Sequence, residues 1–340
     1  MKPSVLIIYT GGTIGMINDP LTGELKSFDF NLIDEHVPEL NRLNVDMTTI
    51  SFSTPIDSSN MQPENWVEIG ELIEANYSKF DGFVVLHGSD TMAYTGSALS
   101  FMFDGLRKPV IITGSQLPIG TIRTDGKENL ITAIEIAASK DSSGEPIIQE
   151  VAIYFEYHLY RGNRSTKDSA SNFQAIKSPN LTELAAAGVN IEYRHEILYR
   201  TTSTDLTVQK AFNKRVALIK LYPGIDFTIY KSVFDRAKVD GIVLETFGAG
   251  NAPKSADLEQ LCSEFITEGG YILNITQCNT GKVQHGMYET SSLFDRIGVI
   301  SGADMTAEAA VTKMMSVLAN SDREDVSQCL SENLRGELTI

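Results

Sequence analysis

The sequence predicts an α/β fold: a parallel sheet covered on both faces, followed by a second, smaller α/β domain. Three observations point to it. Short runs rich in Val and Ile are apolar throughout instead of alternating, as strands buried on both faces must be. Helical patterns lie between these runs, and strands alternating with helices give layered α/β architecture. The length of 340 residues exceeds the usual single domain, which favours two.

The elements follow in order. VLIIY at 5–9 is the first strand and TTISF at 48–52 the second. A helix over 64–78 carries Trp66, Ile69, Leu72 and Ile73 on one face. FVVLH at 83–87, PVIIT at 109–113 and VAIYF at 151–155 are the next three strands. The stretch 157–215 is polar and irregular, with room for a short helix near Leu181 to Ala187. The rhythm then restarts with VALIKL at 216–221, GIVLE at 241–245 and YILNI at 271–275, a helix after each, and a final helical pair from about 305 to 332. The expected organisation is an N-terminal α/β catalytic domain over 1–190, a linker over 191–213 and a C-terminal α/β domain over 214–340.

Charge and composition narrow the partners. With 28 basic and 44 acidic residues the formal net charge is −16, which argues against nucleic acid and anionic membrane, whose binding rests on clustered Lys and Arg. No stretch approaches the length of a membrane span. The five-residue apolar run after Lys2 is too short for a secretory leader. Cys262, Cys278 and Cys329 are widely spaced and odd in number, which suits a reducing compartment. The expected location is cytoplasmic.

In open parallel sheets, ligands bind outside the carboxyl ends of the strands. The first strand delivers TGGTIG with Thr13, and the second DSSNM with Ser58 and Ser59. The third delivers HGSDT with Ser89, Asp90 and Thr91, and the fourth TGSQ. Beyond the fifth comes YRGNRSTK, ending at Lys167. Singly, each has an ordinary explanation: a glycine makes a turn, a Ser-Asp pair caps a helix, a lysine is solvated. Their recurrence at consecutive strand ends points to a site.

Familiar alternatives fail on spacing. GGTIG lacks the order G-x-G-x-x-G of dinucleotide sites, and no G-x-x-x-x-G-K-[ST] or G-x-S-x-G occurs. His36, His87, His158, His195 and His285 show no ligand spacing and the cysteines are not paired, so a metal site is not expected. What remains is threonine chemistry without histidine. A threonine hydroxyl is a poor nucleophile and needs a base within reach. A lysine can serve if burial lowers its pKa, whereas a neighbouring carboxylate raises it. Asp90 beside Lys167 would therefore mainly orient it, with the proton passing along hydroxyls. The glycines around Thr13 would let backbone N–H groups approach a developing oxyanion.

These motifs resemble the bacterial L-asparaginases, in particular their cytoplasmic type I branch. YTGGTIGM, DSSNM, DGFVVLHGSDTMAYTGSALSFM, KPVIITGSQLP, LYRGNRSTK, GAGNAP, LNITQCNTGKV and GVISGADMTAEAAVTK echo that family in order, over nearly the whole chain. The resemblance implies a flavodoxin-like domain followed by a smaller α/β domain, and hydrolysis of L-asparagine to L-aspartate and ammonia through an acyl-enzyme, without a cofactor. It implies that Thr13 is the nucleophile and that Ser89, Asp90 and Lys167 form the second catalytic group. Ser58 would hold the substrate α-carboxylate with Ser59 beside it, and Asp90 the α-ammonium. Asn251 and Glu289 match positions that reach a site from an adjacent subunit, which implies a homodimer or homotetramer.

Three departures from the family stand out. Ser89 replaces the usual threonine, and the lost methyl frees the side chain to rotate. The loop INDPLTGELKSF lacks the tyrosine that many members carry, with Glu24 near its place. Glu245 stands where some type I enzymes place an arginine that holds a second, regulatory asparagine, so allosteric activation is not expected. Within the family, the alternative is a glutaminase, or the glutaminase subunit of a tRNA-dependent amidotransferase, whose chains carry an extra segment before the first strand. Outside it, a two-lobed solute-binding protein would also place polar groups between α/β domains, but would normally need export.

Overall fold

The computed structural model describes residues 2–18, 25–27, 33–284 and 289–339. The chain divides into two compact units, Met1–Lys210 and Ala211–Ile340.

The first unit is built on eight strands: β1 (Ser4–Gly11), β2 (Asp46–Ile56), β3 (Gly82–Leu86), β4 (Val110–Thr113), β5 (Val151–Phe155), β6 (His158–Arg161), β7 (Ala185–Ala187) and β8 (Ile191–Tyr193). They lie in the order β8-β7-β6-β5-β4-β3-β1-β2. The first five are parallel, so their spatial order is 2-1-3-4-5, the doubly wound flavodoxin-like arrangement. The chain leaves β1 toward β2 on one side and returns to β3 on the other. The crevice at that reversal is where such sheets bind ligands.

Burial explains the unbroken apolar runs. Val5, Leu6, Ile8, Phe83–Leu86 and Val110–Ile112 are fully buried, because helices cover the sheet. They are α1 (Pro63–Asn76), α2 (Met92–Met102) and α3 (Gly126–Ala138). Threonines close the strands: Thr10 Oγ1 donates to the Leu86 carbonyl at 2.8 Å and Thr113 Oγ1 to that of Tyr154 at 2.8 Å. The second strand differs from expectation, because β2 is an edge strand and Phe52 is its one buried residue.

No helix forms near Leu181 to Ala187. Ala185–Ala187 is strand β7, held between β6 and β8 in antiparallel pairing. An alanine run has high helix propensity, but the neighbouring edge offers it backbone partners, and that tertiary pairing overrides the local preference. The segment expected as a linker supplies β8, and Thr207–Val208 pairs with Phe103–Asp104.

The second unit carries a parallel sheet of β9 (Val216–Lys220), β10 (Gly241–Thr246), β11 (Tyr271–Thr276) and β12 (Ile300–Ser301), in that order. Its helices are α4 (Ala256–Thr267), α5 (Glu289–Ile297), α6 (Ala307–Asn320) and α7 (Val326–Ser331). After β9 a single 3-10 turn, Phe227–Tyr230, stands where the rhythm predicts an α-helix. Phe227 and Phe234 pack into the same core as β10. Lys313 of α6 and Glu337 form a fully buried ion pair at 2.6 Å, and Lys313 also donates to the Glu332 carbonyl. Among the described residues, no helix is long and apolar enough to cross a membrane.

Candidate active site

The carboxyl ends of β1 and β3 meet through backbone alone. Gly12, just past β1, has φ of 84°, and a Cβ there would lie 2.5 Å from the Gly88 nitrogen and 2.7 Å from its Cα. No larger residue fits, so this glycine permits both the left-handed turn and the contact. Thr13 then opens a short 3-10 turn, Thr13–Gly15, and is half-buried. Its hydroxyl makes no hydrogen bond among the described residues.

Beyond β2, Ser58–Asn60 forms another 3-10 turn capped by Asp57, whose carboxylate accepts from the Ser59 N–H and hydroxyl at 2.9 Å each. Those bonds, the backbone N–H foremost, lower the Asp57 pKa. Ser58 is buried and lies over Gly88, where a Cβ would meet its Oγ at 2.5 Å. Thr91 Oγ1 donates to the Ser58 carbonyl at 2.7 Å. Ser59 is exposed.

Ser89 and Asp90 follow β3 at the entry to α2. Lys167 reaches them from the short strand Thr166–Lys167. Its Nζ donates to Ser89 Oγ at 3.0 Å and pairs with Asp90 Oδ1. Lys167 is largely covered, whereas the Asp90 side chain is 60% exposed and open to a ligand. Ser89 Oγ donates in turn to Gln116 Oε1 at 3.2 Å, and Gln116 Nε2 to the Asn172 carbonyl at 2.9 Å. Two polar partners thus hold the hydroxyl that the missing methyl was expected to free.

Thr13, Ser58, Ser59, Ser89, Asp90 and Lys167 therefore all belong to the first unit, on the ends of β1, β2 and β3 and one loop strand. The arrangement offers an unengaged hydroxyl, a lysine–hydroxyl pair and an exposed carboxylate. Among the described residues no group of three or more His, Cys, Asp or Glu is placed to hold a metal ion. A hydroxyl, a lysine and a carboxylate are residue types that nucleophilic acyl transfer employs.

Family models settle the kinship. A model described as "Asparaginase, N-terminal" matches residues 4–199, and one described as "Glutaminase/Asparaginase C-terminal domain" matches residues 215–330. The chain belongs to the asparaginase family. It is 41% identical to L-asparaginase 1 of Escherichia coli K12 over 344 residues, covering 99% of this chain and 98% of that one. Its fold superposes on the crystal structure of L-asparaginase I from Vibrio cholerae with a TM-score of 0.91 and 39% identity, covering all of both chains. The thermostable L-asparaginase from Thermococcus kodakarensis is more distant in sequence, at 31% identity, yet superposes with a TM-score of 0.89 over 99% of each chain.

Other sites expected from the resemblance lie elsewhere in this asparaginase. Asn251 belongs to the second unit, where its N–H and carbonyl pair with Phe247 at 2.8 and 2.9 Å. Glu289 opens α5, and its side chain lies outside the described residues, as does Glu24. Glu245 pairs with Lys220 at 3.6 Å. Two residues at the site carry no role in the sequence reading. Gln116 lies inside the TGSQ motif, where nothing local says what it meets. His87 has no ligand spacing, yet its ring lies fully buried with Nδ1 2.6 Å from the Gly88 carbonyl oxygen.

Proposed function

We propose that this chain hydrolyses the side-chain amide of L-asparagine, with Thr13 as nucleophile. The observation that carries the reading is Lys167 held on both Ser89 and Asp90, at the strand end whose Gly88 packs against Gly12, the residue before Thr13. Attack by the Thr13 oxygen forms a C–O bond at the amide carbon. The C–N bond then breaks, and nitrogen leaves as ammonia carrying the proton taken from the hydroxyl. Water adds to the resulting ester, releases L-aspartate and returns a proton to Thr13. The Ser89–Lys167 pair is the path for these protons, and Asp90 keeps the lysine in place.

Ser58 and Ser59 hold the substrate α-carboxylate, and Asp90 its α-ammonium. Asn251 and Glu289 serve the site of an adjacent subunit, so the working form is a homodimer or homotetramer, and it is cytoplasmic. The catalytic domain is the N-terminal one. Kinship over the whole length with proteins named L-asparaginase supports asparagine over glutamine. One methylene separates the two amides, a difference that pockets usually resolve by ~1–3 kcal/mol, so rates on both give the ratio directly.

Thr13→Ala and Thr13→Val test the nucleophile. Both are expected to abolish ammonia release while asparagine still binds, and the valine variant keeps the branched shape. Retention of even a tenth of wild-type turnover by either variant would remove Thr13 from the role.

A further inference from the structure

The His87 ring is fully buried, and both of its nitrogens are engaged. Nδ1 lies 2.6 Å from the Gly88 carbonyl oxygen, and Nε2 lies 2.8 Å from Thr95 Oγ1. Thr95, on α2, also accepts the indole N–H of Trp66, on α1, at 3.0 Å. The protons in this chain are determined by chemistry. A carbonyl can only accept, so Nδ1 carries the hydrogen. In a neutral ring Nε2 is then an acceptor, and the Thr95 hydroxyl donates to it. Trp66 can only donate, so it takes the remaining acceptor site on Thr95. The sequence of donors is Trp66 to Thr95, Thr95 to His87, and His87 to Gly88.

That last bond fixes the orientation of a peptide at the site. The peptide is trans, so the Gly88 carbonyl and the Ser89 N–H lie in one plane and point in opposite directions. With the carbonyl drawn to the buried ring, the Ser89 N–H faces the other way, and it has no acceptor among the described residues. Gly12 packs closely on the preceding His87–Gly88 peptide, where even a Cβ would collide.

We propose that His87, as a neutral Nδ1–H tautomer anchored through Thr95 and Trp66, is a positioning residue for the reaction. It locks the Gly88–Ser89 peptide so that the Ser89 N–H is presented to the amide oxygen as charge develops there. The same lock aims Ser89 Oγ at Lys167. His87 itself touches no substrate and transfers no proton. The proposal rests on reading the Thr13 cleft as the amidase site.

Two measurements test it. In proton–nitrogen correlation spectra of histidine-labelled wild type, assigned by loss of the signal in His87→Asn, the ring is expected as a neutral Nδ1–H tautomer at pH 7. An Nε2–H or charged ring would overturn the assignment, whatever the substrate proves to be. In kinetics, His87→Phe keeps a planar aromatic ring, slightly larger and without the donor, and is expected to lower kcat about 100-fold, the scale of a small misplacement at a reacting centre, with little change in KM. His87→Asn restores an N–H near Nδ1 and is expected to recover most of that loss. Equal losses in the two variants, or losses confined to KM, would overturn the positioning role. Trp66 is the single tryptophan, so its emission reports whether each variant is folded. Should His87→Phe not fold, Thr95→Val removes only the outer anchor. It is expected to lower kcat and mix the tautomers, and unchanged kcat and spectra would refute the proposal. Absence of any asparagine turnover in wild type would undo the amidase reading, while the spectra would still decide the tautomer.

Discussion

Lys167 makes two contacts at the site, and they carry different consequences at the scale of single residues. Its bond to Ser89 belongs to proton movement, and its pairing with Asp90 to orientation. Lys167→Met is therefore expected to reduce kcat far more than it raises KM, the pattern of an interaction made mainly in the transition state. Asp90→Asn is expected to change both, because the exposed carboxylate also meets the substrate ammonium. Steady-state kinetics of the two variants check this, and matching KM effects with intact kcat would contradict it. His87 adds a stability effect. Burial pushes its imidazole down to about 4 from an ordinary 6.5, and both ring partners are neutral. The unfolded chain therefore binds the proton first as the pH falls. Stability from this group is complete above pH 6.5 and is lost progressively down to pH 4, by about 3 kcal/mol. Urea unfolding followed by Trp66 emission should show wild type losing that much more than His87→Asn across the window.

At the scale of elements, the site depends on how closely strand ends approach. β1 and β3 are neighbours throughout, from Val5 opposite Gly82 to Tyr9 opposite Leu86. Beyond that ladder, Gly12 against Gly88 maintains the contact where hydrogen bonding has ended. Gly12→Ala would add both a strained φ and a backbone collision. Gly144 offers the control, since its φ is 88° but a Cβ there would meet nothing within 4 Å. Gly144→Ala is expected to cost about 1–2 kcal/mol from conformation alone. Gly12→Ala should cost more than this and lose nearly all activity, because the shift displaces Thr13 from Ser89. Denaturant unfolding and kcat on the pair separate the two contributions. Similar stability losses and a still active Gly12→Ala would show that the strand ends can yield.

On the scale of the whole molecule, the question is whether binding at one site alters another. A ligand shifts an equilibrium only through different affinity for two states. An amino acid's carboxylate needs a cation as anchor, best an arginine fork. Glu245 at the end of β10 presents a carboxylate instead, and the lysine beside it, Lys220, is already its partner at 3.6 Å. The rate is therefore expected to rise hyperbolically with asparagine, with a Hill coefficient near one. A sigmoidal curve that persists across protein concentrations would show that another residue provides the anchor.

The sequence by itself determined the parallel α/β sheet, because strands buried on both faces must be apolar at every position, as Phe83–Leu86 are. It also determined the candidate hydroxyls, Asp90 and Lys167, since ligand-bearing side chains gather at carboxyl ends of such strands. Local pattern failed where partners lie far along the chain. The alanines at 185–187 became a strand because the edge at Leu159 and His158 was there to pair with them. Ser89 gained its fixed hydroxyl from Lys167, 78 residues away, and from Gln116, 27 away. His87 reads as an isolated histidine until Trp66, Thr95 and the Gly88 carbonyl are assembled around it. Periodicity records which face of an element is covered. Which polar atom meets which is decided only when the helices close over the sheet and each buried donor must find its acceptor.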